Sequence, residues 1–124
     1  KRNKIADYYN SILSNFSFLK VPSIADDVYH AFHIYPLQIN FSKLKINKKI
    51  FFKKVKEKKI NLQVHYIPIH LQPYYKKNFE INNRKLGNSI KFYKNECSLP
   101  MYPELSMKNI KQICNIIINE IKKY

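Results

Sequence analysis

Gly87 is the only glycine in 124 residues, and that limits what the chain can build. Phosphate-cradling loops, dinucleotide-binding turns and nucleophile elbows all need glycine, for left-handed backbone or for close approach to a ligand. One glycine supplies none of these. The length suits one domain with one hydrophobic core. An apolar fraction of 45% and an aromatic fraction of 15% place it among folded chains rather than disordered ones. No apolar run approaches the roughly 18 residues of a membrane span. The basic start, Lys1-Arg2-Asn3-Lys4, is not followed by the apolar core of a signal peptide. A cytoplasmic protein is the expectation.

The formal charge of +15 invites a nucleic-acid or anionic-membrane reading. Two features weaken it. Lysine carries nearly all the charge. Arginine, the residue suited to bidentate recognition of bases and phosphates, occurs only at Arg2 and Arg84. The joint richness in Lys, Asn, Ile, Phe and Tyr also matches the amino-acid usage of an AT-rich genome. Cys97 and Cys114 lack metal-like spacing, and each falls in an apolar helical pattern, which reads as two buried free thiols.

Helical spacing of Ile5, Tyr8, Ile12 and Leu13 predicts a helix over residues 1–14. It opens without a start signal, as a piece of something longer would. Residues 15–28 read as connecting chain. Alternation over residues 29–39 predicts a strand with Tyr29, Ala31, His33, Tyr35, Leu37 and Ile39 on one face. Pro36 argues for an edge position or a bulge. Asn47 caps a helix over 48–58 whose buried stripe is Ile50, Phe51 and Val55, with the intervening lysines in solvent. A second strand is expected at about 61–67, a polar loop at 76–83, and a helix at 84–96 carrying Leu86, Ile90, Tyr93 and Cys97. A short extended segment spans Ser98 to Pro103. Ser106 caps a last helix with Ile110, Ile113, Cys114, Ile117 and Ile121 on one face. The expected fold class is α+β, a small antiparallel sheet with helices packed on it. Strands are too few for a doubly wound domain.

Gln63-Val64-His65-Tyr66-Ile67-Pro68-Ile69-His70-Leu71-Gln72-Pro73-Tyr74-Tyr75 is the segment with chemistry in it. Imidazole and phenol combine an apolar body with a polar tip, and the prolines hold the path extended or turned. That mixture suits the wall of a pocket for a large polar ligand such as a sugar. No metal set stands out: His30 and His33, three apart on a strand, face opposite ways. As a general base, His65 would need an orienting carboxylate, and none lies near it in sequence. A satisfied structural histidine and a ligand contact stand side by side. Most of the lysines read as solvated helix faces, so none is a good Schiff-base candidate. The residues alone offer no catalytic, cofactor or metal site.

Four motifs, in order, resemble the C-terminal small domain of the DegT/DnrJ/StrS sugar aminotransferases. Arg2 to Tyr9 looks like the family's Arg-x-x-x-Ala-x-x-Tyr helix leaving the large domain. His33-Ile34-Tyr35 resembles its His-Leu-Tyr/Phe strand. His65 to His70 resembles its His-Tyr-x-Pro-x-His segment, and Ser98 to Pro103 its Ser-Leu-Pro run. The resemblance implies the small domain of fold-type I enzymes that use pyridoxal 5'-phosphate (PLP). Residues 1–14 would be the interdomain helix and 15–124 the small domain. The cofactor lysine and most phosphate contacts would lie in a large domain outside these residues. A UDP-sugar substrate, glutamate as amino donor and a homodimer are implied with it. Gln63, Val64, His65 and Tyr66 would contact the sugar nucleotide. The His65–Tyr75 version of the segment implies amino transfer to C4 of a UDP-4-keto-6-deoxy-N-acetylhexosamine in pseudaminic acid biosynthesis. Residues 1–124 alone would be inactive. Two departures matter. Lys59-Ile60 stands where the family often has Gly-Ile, so a different turn is expected there. Gln38 stands where it commonly has arginine. Two other classes remain beside this reading: a small basic nucleic-acid-binding domain, and a scaffold module without its own ligand.

Overall fold

The computed structural model describes residues 1–124, with the side chains of all but residues 83 and 84. Five α-helices surround a three-stranded antiparallel sheet of order β1-β2-β3, which is the α+β arrangement expected. Helix α1 covers Arg2–Leu13, β1 Leu19–Lys20, β2 Tyr35–Ile39, α2 Lys48–Glu57, α3 Pro73–Asn78, α4 Gly87–Asn95, β3 Glu96–Leu99 and α5 Met107–Ile121.

The core lies between the sheet and helices α1, α2 and α5. Helix α5 carries Ile110, Ile113, Cys114, Ile117 and Ile121 buried on one face, as the spacing predicts, with Ser106 accepting the Asn109 N–H as its cap. Helix α1 packs against α5. It buries Ile5, Ala6, Tyr9 and Leu13, while Tyr8 and Ile12 are half-buried at the edge. The inward face is thus rotated toward Ala6 and Tyr9, because the small Ala6 lets the helix approach closely.

Strand β2 is shorter than the alternation suggested and begins only at Tyr35. Tyr29, His30 and His33 are exposed, and Phe32 turns into the core at φ 46. Tyr35, Leu37 and Ile39 do share the buried face. Pro36 is not on an edge strand, since β2 is central. The backbone shows why it is tolerated. Ser98, opposite Pro36, gives both its N–H and its C=O to Gln63. Pro36 and Ser98 are therefore a non-hydrogen-bonded pair, and the donorless proline nitrogen faces the β1 side. Strand β1 reaches only Ile39 and Gln38, so no ladder bond is lost there.

Asn47 caps α2 through the N–H groups of Lys49 and Ile50. Phe51 and Val55 are buried, but Ile50 is 49% exposed. Lys48 is not a solvated helix lysine. Its Nζ donates to the Tyr93 carbonyl at 2.8 Å and lies 5.4–5.9 Å from the ring centres of Phe41, Phe52 and Tyr93. The helix closes with Lys59 at φ 63. Ile60 N–H reaches Val55 C=O and Lys59 N–H reaches Lys56 C=O, while the side chains of Val55 and Ile60 are both buried. This is the Schellman closure, with lysine at the left-handed position usually given to glycine. The Lys59-Ile60 departure therefore leaves the glycine-type turn in place.

Three further expectations are corrected. Residues 61–67 are not a strand; only Gln63 pairs, with Ser98. Residues 73–78, expected to be loop from 76, form the short helix α3, with Pro73 in its first turn. Cys97 lies in β3 rather than a helix, because α4 ends at Asn95. Both cysteines are buried free thiols.

Candidate functional site

Alternation along β3 sorts its side chains. Cys97 and Leu99 join the hydrophobic core, and Glu96 and Ser98, two residues apart, share the opposite face. The outer edge of β3 takes the segment arriving from α2. Gln63 docks there through two backbone bonds with Ser98, Gln63 N–H to Ser98 C=O at 3.2 Å and Ser98 N–H to Gln63 C=O at 2.8 Å. Two residues on, the His65 N–H donates to Glu96 Oε2 at 3.1 Å, and His65 Nδ1 lies 2.8 Å from Ser98 Oγ. Ser98 Oγ in turn donates to Glu96 Oε1 at 2.5 Å. Glu96 is fully buried, yet both carboxylate oxygens are engaged. Burial lowers the Lys48 pKa, opposed by the neighbouring Cys97 and Glu96.

His65 and Gln63 sit on the wall of a cleft of about 600 Å³. Ser98, Leu99, Pro100 and Met101 form its floor, the α2 turn at Lys58–Ile60 one side, and Asn109, Gln112 and Ile113 of α5 another; His33 stands at its rim. Of the four residues expected to contact ligand, Gln63 and His65 line this cleft. Val64 is half-buried outside it, and Tyr66 is 73% exposed and also outside it. His65 and Tyr66 are joined by a cis peptide. His70 is buried, with Nε2 unpaired among the described residues. Among the described residues no group of three or more His, Cys, Asp and Glu is placed to hold a metal ion. No helix among them is long and apolar enough to cross a membrane.

Sequence reasoning missed Glu96 and Ser98 as partners of His65. Glu96 is 31 residues away and sat in a segment read as helix. The one available signal was the Glu-x-Ser alternation just before Leu99-Pro100, which puts an acid and a hydroxyl on one strand face.

The four motif segments also meet in space. Tyr9 Oη donates to the Pro100 carbonyl at 3.0 Å, and its ring lies 4.8 Å from that of Tyr35. Tyr35 Oη donates to Asn10 Oδ1 at 2.6 Å, and an Arg2 guanidinium nitrogen lies 3.5 Å from His33 Nδ1. Segments far apart in sequence thus form one framework around the cleft.

Comparison with known proteins agrees with this framework. The model of the DegT/DnrJ/EryC1/StrS aminotransferase family matches residues 1–118. The uncharacterized protein MJ1066 of Methanocaldococcus jannaschii is 38% identical over 117 residues, 94% of this chain and 30% of that protein. The spore coat polysaccharide biosynthesis protein SpsC of Bacillus subtilis is 30% identical over 123 residues, 98% of this chain and 32% of that protein. The chain thus spans about a third of the length of these curated relatives. Among solved structures, Helicobacter pylori PseC, an aminotransferase involved in the biosynthesis of pseudoaminic acid, superposes with a TM-score of 0.87 at 23% identity, covering 99% of this chain and 32% of that one. That likeness is one of fold. On the match over residues 1–118, the chain belongs to the DegT/DnrJ/EryC1/StrS aminotransferase family.

Proposed function

We propose that these residues are the C-terminal small domain of a PLP-dependent nucleotide-sugar aminotransferase of the cytoplasm, active as a homodimer. Residues 1–14 form the helix arriving from the large domain, and residues 15–124 close one side of the active site. The substrate is a UDP-4-keto-6-deoxy-N-acetylhexosamine that receives an amino group from glutamate at C4, in pseudaminic acid biosynthesis. The observation that carries the reading is the seating of Gln63 and His65 on Ser98 at the wall of a cleft. The substrate class is supported by the Campylobacter jejuni UDP-4-amino-4,6-dideoxy-N-acetyl-beta-L-altrosamine transaminase, 28% identical over 123 residues, 99% of this chain and 32% of that enzyme.

The residues of this cleft do not by themselves fit PLP. Its lysines, Lys58 and Lys59, are exposed on a helix end, and Lys48, whose pKa burial lowers, is bonded to the Tyr93 carbonyl among three aromatic rings. When bound, the cofactor supplies the carbanion chemistry; this chain's part is to hold and orient the sugar nucleotide, through Gln63, Val64, His65 and Tyr66. Purified residues 1–124 with added PLP and glutamate are expected to be catalytically silent, and turnover would refute that.

Affinity as a function of salt tests the substrate class. UDP-N-acetylglucosamine carries only two phosphates, so its binding is expected to change little between about 50 and about 200 mM salt, whereas a phosphate-tracking nucleic-acid binder loses about a thousandfold or more over that range. Tight, steeply salt-dependent binding of single-stranded RNA with no response to the nucleotide sugar would replace this reading with the nucleic-acid one.

A further inference from the structure

With Glu96 ionised, the hydrogen bonds joining Glu96, Ser98 and His65 run in one consistent direction. A carboxylate can only accept. Glu96 Oε2 takes the His65 backbone N–H, and Oε1 takes the single hydroxyl proton of Ser98. With that proton committed, Ser98 Oγ can meet His65 Nδ1, 2.8 Å away, only as an acceptor. Nδ1 must then carry a hydrogen. In the neutral ring this leaves Nε2 as a bare lone pair. Imidazole free in water favours the opposite tautomer, so the protein is making the choice. Among the described residues nothing hydrogen-bonds Nε2, and His65 lines the cleft.

We propose that Glu96, acting through Ser98, is a positioning residue that fixes His65 as the Nδ1–H tautomer, so that neutral His65 accepts a hydrogen bond from an N–H or O–H donor of the cleft ligand and does not serve as a phosphate ligand. The choice of ligand rests on the nucleotide-sugar reading above; the tautomer does not. A phosphate oxygen needs a donor, which neutral Nε2 in this arrangement is not. A sugar hydroxyl or the imide N–H of a uracil ring fits it. The buried acid is thereby given a function at a distance: it touches no ligand, yet it decides which kind of ligand atom His65 can meet.

Long-range proton–nitrogen NMR of the nitrogen-15-labelled chain reads the tautomer directly, at alkaline pH where imidazole is neutral. His65 is assigned by the signal lost in His65→Gln. The expected pattern is a pyrrole-type nitrogen at Nδ1 and a pyridine-type nitrogen at Nε2. In Glu96→Gln the amide oxygen stays on the His65 N–H and the NH2 turns to Ser98. Ser98 must then donate to Nδ1, and the proton moves to Nε2. Ser98→Ala removes the acceptor and returns the ring toward the tautomer favoured in water. The backbone amide spectrum verifies that each variant is folded. A pyridine-type Nδ1 in the unsubstituted chain overturns the proposal, as does a folded Glu96→Gln whose tautomer is unchanged. For the ligand class, uridine, which offers N–H and O–H donors, is expected to shift Nε2, and inorganic pyrophosphate, which offers acceptors, is not. A response to pyrophosphate alone, or none to uridine, overturns the ligand class while leaving the tautomer to its own measurement.

Discussion

The phenol of Tyr9 donates a hydrogen bond to the carbonyl of Pro100, 91 residues later, at 3.0 Å. This bond ties the first helix to the cleft floor, and Tyr9 is fully buried around it. Burial also holds the phenol's pKa far above its ordinary value, so it remains a donor throughout the working range. Tyr9→Phe keeps the ring packing and removes the donor from the half-buried Pro100 carbonyl. The expected loss is about 0.5–1.5 kcal/mol of stability, read as a lower urea midpoint with unchanged slope. An unchanged midpoint would mean that the bond is not made.

Lys59 sits at φ 63 where α2 closes. A side chain there is strained by about 1–2 kcal/mol, partly offset by the smaller entropy a non-glycine residue loses on folding. Lys59→Gly should therefore raise stability by about 0.5–1 kcal/mol. The same change at Lys58, whose φ is −86, should lower it by a similar amount. Thermal or urea midpoints of the two variants, measured side by side, should move in opposite directions.

Both thiols are buried. Burial pushes Cys114 up from 9.0 to about 12, slightly opposed by a backbone hydrogen bond. Burial, then Glu96, raises Cys97 further, against a lowering by Lys48. A raised folded pKa means that the folded state holds the proton more tightly. The stabilisation is then fully present below the unfolded value and lost as pH rises through the folded one. Melting temperature is expected to be flat in these groups up to about pH 9 and to fall between there and about pH 12. A thiol reagent at pH 8 should label neither cysteine until denaturant is added.

Ile117 is fully buried and Ile50 is 49% exposed, although both fell on predicted apolar helix faces. Ile117→Ala should cost about 2–5 kcal/mol through lost burial and a residual cavity. Ile50→Ala should stay within about 0.5 kcal/mol. Chemical denaturation of the two variants reads the difference.

That contrast shows what was legible in the sequence. The last helix could be read closely because Ile110 to Ile121 repeat over three turns against one continuous core. The Asn47 and Ser106 caps were visible because capping is local chemistry. Strand limits were not, because pairing is decided by distant partners. Residues 29–34 alternate like a strand but pair with no strand among the described residues, whereas Gln63 pairs because Ser98 presents both backbone groups to it. The cleft wall at Gln63 and His65 could be singled out by composition. Its support could not: Glu96 reaches His65 only once β3 has docked beside residue 63.

The central claim is that Gln63 and His65, seated on Ser98, form one wall of a nucleotide-sugar site. Its most direct test is to map amide shifts of the labelled chain as UDP-N-acetylglucosamine is added. One wall of a site should bind weakly, with a dissociation constant on the order of 1 mM. The account predicts saturable shifts centred on Gln63, Val64, His65, Tyr66 and Ser98, lost in His65→Ala. Shifts confined to other faces of the molecule, or none at ligand concentrations well above that constant, would contradict it.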